Sequence, residues 1–368
     1  MTFSVNRRGF LQAASSAVAA GALSSVAGRA SAQSSDELRV VVNGGASGKA
    51  KVEAWVKPFE AATGIKVNAI TDDFTLAQLE LMAESKNVTV DVVGLEASAH
   101  SAGAKKGRFE KIDYSIYKTD ERDGLVDFAK EEFGVAYIIY SYNIVYNTEK
   151  YPANKPRPTT WAEFWDVDKY PGVRSLVSGA SGSEGPWEEA LLGAGVAPEA
   201  LYPMDIDKIF ASLDKIKPHV RKWFTGGSEI YNIMRDKNAD IVESYDGRAQ
   251  LLVNEGAPVE INRNQAKLTW DLFAIPKGSP NVGNAQKFIE FATRADRQAA
   301  FSKLIPYGPA NRNAFKLLPQ ELGRKLASHP DFLATSIVTK PAWYTEVGAD
   351  GMSNIDRLVQ RWNEWILL

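Results

Sequence analysis

Leu38-Arg-Val-Val-Val42, Asn43-Gly-Gly-Ala-Ser-Gly48 and Ile65-Lys-Val-Asn-Ala-Ile70 decide the fold of this chain. The first and last are short apolar runs that read as strands. Between them Val52, Trp55, Val56 and Phe59 recur at i, i+3, i+4 and i+7, the spacing of one helix face. Strand, helix and strand in that order form a β-α-β unit, whose strands lie parallel. The helix is expected over about 49–62, kinked or shortened by Pro58 and ended by Gly64. Working outward, the spacing predicts a helix over 75–85, a strand over 88–93 and a tyrosine-rich strand segment over 136–146. Thr160 reads as an N-cap before Trp161-Ala-Glu-Phe-Trp165. Helices are expected near 187–192, 205–215, 227–236, 284–292 and 353–366, and a strand over 239–243. This is an α/β chain, and its 368 residues are enough for two domains with a core each.

The N-terminus stands apart. Arg7 and Arg8 precede a mild Ala/Ser/Val-rich run, and Ala30-Ser31-Ala32 offers a small-residue cleavage site. This reads as an export signal of the twin-arginine type covering 1–32, and it implies a periplasmic location. Removing it takes away three arginines and no acids, so the remainder carries 40 basic against 45 acidic residues, a net of −5. With no basic stripe, nucleic acid is not an expected partner. The chain has no cysteine, which excludes disulfides, thiolate metal sites and cysteine nucleophiles.

Catalytic and cofactor patterns are missing. Asn43 and Ala50 occupy the positions where a phosphate loop needs Gly and Ser or Thr, so Gly44-Gly-Ala-Ser-Gly-Lys49 is not a nucleotide site. Gly44 and Gly45 still precede a helix N-terminus, where free N–H groups can hold a carboxylate; a plain tight turn is the alternative. His100, His219 and His329 lie far apart and in no metal-ligand spacing. Gly179-Ala-Ser-Gly-Ser183 lacks the nucleophile-elbow pattern. No enzyme activity, cofactor or metal is expected.

A different chemistry is suggested by Lys267-Leu-Thr-Trp-Asp-Leu-Phe-Ala-Ile-Pro276, where Trp270 and Asp271 interrupt an apolar run. A carboxylate in such a strand is costly unless it is compensated. A ligand ammonium gripped by Asp271 and faced by aromatic rings is one compensation; an exposed edge position is the other. Several tyrosines and tryptophans beside strand ends, with Asp271 and Glu96, fit a small-molecule cleft at the carboxyl ends of the strands.

These residues bring a family into view. Phe59-Glu-Ala-Ala-Thr-Gly64-Ile-Lys-Val67, Val90-Asp-Val-Val93, Tyr142-Asn-Ile-Val-Tyr-Asn147, Pro158-Thr-Thr-Trp161, Tyr245-Asp-Gly-Arg-Ala249, Trp270-Asp-Leu-Phe-Ala-Ile-Pro276 and Tyr307-Gly-Pro-Ala-Asn311 follow in order over nearly the whole chain after the signal. In that order and spacing they resemble the periplasmic substrate-binding proteins of ABC importers, in their polyamine (spermidine/putrescine) type. The resemblance implies a periplasmic binding protein fold (type II-like) with two α/β lobes joined by crossover strands, one over 36–141 plus 269–312 and the other over 142–268 plus 313–368. It implies a monomer that delivers a small amine to an inner-membrane ABC permease. Asp271 stands where the family grips an amine, Tyr307 matches a pocket tyrosine, and Tyr245 stands where relatives carry Trp. The departures are Asn43-Gly44-Gly45 in place of an aromatic turn, Glu96 in place of a Ser, and Glu184 between Gly182 and Gly185 where an acidic pair is usual. Either a polyamine is retained, with Asp271 at one end and Glu96 or Glu184 at the other, or the ligand is an amino acid such as 4-aminobutyrate. In the second case Gly44-Gly45 and Arg248 would receive its carboxylate. A ferric-ion binder is a third, weaker reading, since Tyr307 stands alone.

Overall fold

The computed structural model describes residues 37–368, so the expected signal over 1–32 lies outside the described residues. Strand β1 (Glu37–Val41) lies parallel to β2 (Lys66–Ile70), with Val41 opposite Ile70. The connecting helix runs as α1 (Gly45–Lys51), a π-helical turn (Val52–Val56) and α2 (Lys57–Thr63). Pro58 therefore does not shorten the helix. It lacks an N–H and would crowd the carbonyl four residues back, and the wider π turn immediately before it removes that conflict. Trp55 and Phe59 are buried, as the spacing predicts.

Helix α3 (Leu76–Ser85) begins at a capping box between Thr75 and Gln78. The next strand, β3 (Val93–Glu96), starts later than the sequence predicts. The stretch before it meets β1 only in an isolated parallel bridge between Val40 and Val92, with the Asp91 N–H on the Arg39 carbonyl (2.8 Å), and side chains do much of the holding. Asp91 accepts from the Arg39 backbone N–H (2.9 Å) and guanidinium (2.9 and 2.8 Å), and Arg39 also donates to the Val88 carbonyl. Helix α4 (Ala97–Lys105) follows β3 directly.

The large sheet contains β4 (Lys130–Glu131), β5 (Gly134–Asn147), β6 (Arg174–Val177), β7 (Val220–Phe224), β8 (Ile241–Tyr245), β9 (Val259–Ala274) and β10 (Ile337–Val338). Its order is β10-β9-β5-β8-β6-β7, with β3 also on β9 and β4 on β5. The long strands β5 and β9 are antiparallel neighbours, and their register slips at Ala136/Ile138 and again at Tyr142/Ile144. At ~3.3 Å per residue such strands span far more than one core. One hydrophobic cluster gathers Trp55, Phe59, Ile139, Trp270, Phe273 and Phe288. Another gathers Ile144, Trp161, Phe164, Trp187, Leu358 and Trp362. The two strands contribute to cores at both of their ends, and the polar residues discussed next lie between.

Candidate functional site

Asp271 sits on β9 between two neighbours, opposite Glu96 of β3 and Ile138 of β5. Its carboxylate accepts from the hydroxyls of Tyr137 (3.2 Å) and Tyr140 (3.5 Å). The Tyr140 hydroxyl also lies 2.9 Å from Glu184. Two carboxylates from distant parts of the chain thus converge on one phenol. The register slip beside Ala136 leaves Tyr137 unpaired on β9 and turns its hydroxyl to the acid.

Glu184 is placed by its loop. Gly182 takes φ 69°, a left-handed conformation that disfavours a side chain, and a Cβ there would press on Ile355. From below, Lys267 donates to the carbonyls of Glu184 (3.2 Å) and Gly185 (2.8 Å). Lys267 is itself only 1% exposed and bonds Glu189 at 3.0 Å, with Glu188 and Glu243 at 3.7 and 3.8 Å. Burial disfavours its charge, but these three acids hold its pKa above the ordinary lysine value.

Glu96 ends β3 and caps α4. Its carboxylate accepts from the Ser98 and Ala99 N–H groups (3.0 and 3.2 Å) and from the Ser98 hydroxyl (2.5 Å). Ser98 in turn meets Ser183 at 2.7 Å. Burial first, and the Glu184 charge second, push Glu96 up to about 7. Burial likewise raises Glu184 and Asp271, with nearby Lys51 and the two tyrosine hydroxyls opposing it at Asp271. A small cleft with a volume of about 10 Å³ lies beside these groups and is lined by Glu96, Ser98, Tyr142, Glu184 and Tyr344 among others.

Tyr307 and Tyr245 complete the aromatic walls. The Tyr307 ring stands edge-on to Tyr140 at 6.2 Å, and Tyr245 lies 4.6 Å from Tyr142. Gly308 fixes the Tyr307 turn by exchanging backbone hydrogen bonds with Ile139 (2.8 and 2.9 Å), an approach that a Cβ would block. Burial pushes Tyr307 up to about 12; Asp246, Asp271 and Glu184 add to this, and Arg248 pulls the other way. Arg248, in the first turn of the helix Asp246–Asn254, is exposed and lies across Gly227. It makes no ion pair among the described residues.

Trp270 does not join the site, and this corrects the sequence reading. Adjacent strand residues point to opposite faces, so with Asp271 turned to the phenols Trp270 is driven into the core, 2% exposed and 4.6 Å from Phe128. Gly44 and Gly45 are exposed, and Gly45 has φ 67°. The turn reaches the acids through neither glycine but through Asn43, whose side chain accepts from Lys51 (2.9 Å). Lys51, Tyr137 and Lys267 touch Asp271, Glu184 or their partners and were not singled out from the sequence; Lys267 was visible as a second charge in the same apolar run as Asp271.

The architecture has known counterparts. A model of the bacterial extracellular solute-binding proteins matches residues 54–331. The chain belongs to that family. It is 31% identical over 336 residues to a gamma-aminobutyric acid-binding protein of Pseudomonas aeruginosa, covering 90% of this chain and 91% of the relative. A putrescine-binding periplasmic protein of the same species is 24% identical over 316 residues, 76% of this chain and 84% of that one. The crystal structure of an ABC transporter substrate-binding protein from Bradyrhizobium japonicum superposes with TM-score 0.79 at 30% identity, over 90% of this chain and 99% of that one. This solute-binding protein is therefore the capture component of an ABC importer, and no described helix is long and apolar enough to cross a membrane.

The raised acids give the unliganded solute-binding protein a defined pH response. Glu96, up from 4.5 to about 7, and Asp246, up from 3.8 to about 6, bind protons more tightly folded than unfolded. Their stabilisation is fully present below the unfolded values and is lost as pH rises through the folded ones. The urea midpoint is expected to be higher at pH 5.5 than at pH 8, by on the order of 2 kcal/mol in stability. A midpoint that climbs over that interval contradicts the assignment.

Proposed function

We propose that this solute-binding protein is a periplasmic receptor for a small ω-amino acid, of which 4-aminobutyrate is the representative, and that it acts as a monomer delivering its ligand to an inner-membrane permease. The observation that carries the reading is the convergence of Glu184 and Asp271 on the single hydroxyl of Tyr140. Acids gathered at one point serve one cationic head; a diamine needs carboxylates at both ends of its pocket, because an unpaired buried ammonium costs several kcal/mol. The exposed guanidinium of Arg248, whose charge is felt at Tyr307 together with that of Asp271, suits a carboxylate at the other end. The 31% identical relative that binds gamma-aminobutyric acid supports the same ligand class.

On this reading the segment 1–32 is the export signal and β5 and β9 are the crossovers between lobes at 36–141 plus 269–312 and 142–268 plus 313–368. The ligand lies between Asp271, Glu184 and Tyr140 on one side and Arg248, Tyr245 and Tyr307 on the other. A polyamine remains the second reading, favoured by the presence of a third carboxylate, Glu96, opposite Asp271.

Titration calorimetry with 4-aminobutyrate, putrescine and spermidine separates the two. The expected result is 4-aminobutyrate binding with a Kd at least a hundredfold below that of either polyamine. Arg248→Met is expected to weaken 4-aminobutyrate binding by about 2–3 kcal/mol, the cost of losing a charge-assisted contact. Tight putrescine binding, or full affinity in Arg248→Met, refutes the ω-amino-acid assignment.

A further inference from the structure

The acidic seam contains a resident cation of its own. Lys51, on α1, is 3% exposed, and its ammonium donates to Asn43 Oδ1 (2.9 Å) and to the Tyr137 hydroxyl (3.3 Å), standing 5.0 Å above the Tyr137 ring. The same hydroxyl donates to Asp271 Oδ2 at 3.2 Å. Ammonium, phenol and carboxylate are thus in series, and the phenol passes the lysine's charge to the acid through two hydrogen bonds. An ammonium buried this deeply persists because a carboxylate lies close by.

We propose that Lys51 is a specificity-determining residue that restricts the site to ligands with a single ammonium: it neutralises Asp271 from inside, so the seam can balance one external positive charge and not two. The inference rests on the ω-amino-acid reading above and deepens it. The charges bear it out in number. Asp271 and Lys51 together are neutral, and Lys267 stays within its own group, where it faces Glu188, Glu189 and Glu243 and burial raises Glu189 and Glu243 towards their neutral, protonated forms. Glu184 and Glu96 remain. Glu96 is occupied as the cap of α4 and, with a pKa near 7, carries only part of its charge at neutral pH. Burial brings Lys51 down to about 8 while Asp271, and after it Asp73, pull it back up, so it stays largely charged at pH 7. A ligand dication entering this seam finds the charge of Asp271 already answered by Lys51 through Tyr137.

The test uses the full mature chain with Lys51→Met, Lys51→Gln and Lys51→Arg. Gln retains donors for Asn43 and Tyr137 while removing the charge, so it guards against a folding failure in Lys51→Met; melting curves establish which variants are folded. By calorimetry, the ratio of putrescine to 4-aminobutyrate affinity is expected to rise at least tenfold in the neutral variants and to stay within twofold of wild type in Lys51→Arg. Folded neutral variants that keep the wild-type ratio overturn the proposal and leave Lys51 as a packing residue. A wild-type protein that prefers putrescine overturns both the proposal and the ligand assignment. A wild-type protein that binds neither compound overturns the ligand assignment alone. Lys51 is then judged in the unliganded protein, by following the carboxyl carbon of Asp271 in an NMR titration. Its midpoint is expected to move upward in Lys51→Gln, and an unmoved midpoint overturns the pairing.

Discussion

Asp271→Asn is expected to weaken binding of 4-aminobutyrate by about 2–5 kcal/mol, at least thirtyfold in Kd, while the protein stays folded. The magnitude follows from its place in the structure. The carboxylate lies on an interior strand between β3 and β5, half-buried, with its oxygens turned to two phenols and its charge shared with Lys51. An amide fits the same space and still accepts from Tyr137 and Tyr140, so packing is kept and only the charge is lost. Lys51 then loses the acid that does most to hold its charge and can respond by releasing its proton, which limits the structural damage. Calorimetry beside a melting curve checks both halves. Unchanged affinity in a folded variant shows that the acid serves Lys51 alone and that the ligand's ammonium is held elsewhere.

The largest effect on stability is expected from Lys267→Met. The ammonium is the shared partner of Glu188, Glu189 and Glu243, all fully buried, and it also bonds the carbonyls that position Glu184. Removing one partner of a buried ion cluster typically costs about 3–5 kcal/mol, because the acids left behind are uncompensated. Tyr344 and Tyr202 still donate to Glu188, but nothing replaces the cation at Glu189. Chemical denaturation at pH 7 measures the loss. The acids can relieve it by taking protons, so the deficit relative to wild type is expected to shrink as pH falls toward 5. A variant as stable as wild type at pH 7 shows that the cluster is already protonated without its lysine.

The opening β-α-β unit was legible because its apolar spacing changes cleanly from strand to helix and back, and because Gly64 closes the helix. The helix after Thr160 was legible through its cap, and those over 75–85 and 353–366 through their apolar spacing; in the fold all three begin at side-chain caps, at Thr75, Thr160 and Ser353. Strand β3 was misplaced because Val88–Val93 has the right composition, while its pairing with β1 stops at one bridge, Val40 with Val92, and the Arg39 guanidinium takes up the Val88 carbonyl and the Asp91 carboxylate. That competitor is some fifty residues away, and local spacing carries no trace of it. Asp271, Tyr245 and Tyr307 were singled out by their motif positions and Glu184 as a departure from the pattern; the fold brings Asp271 and Glu184 together on Tyr140, with Tyr307 beside it. Trp270 was misread because proximity in sequence was taken for proximity to the ligand, whereas the alternation of a strand separates neighbours. Lys51 lay inside the expected helix over 49–62 but off the apolar face that the spacing marks. Its partners Asn43, Tyr137 and Asp271 come from three separate segments, and only the folded chain brings them together.

Asp91 also has a bearing on how the chain matures. It takes hydrogen bonds from Arg39 near the start of the described chain and from Ser279, 188 residues later, and β3 finds its ladder partner only in β9. The early segments therefore remain an incomplete layer until most of the polypeptide has been synthesised, whatever helices they have formed meanwhile. Contacts of such long reach are slow to close. A chain of this topology seals its first core only once β9 is available to pair with β3.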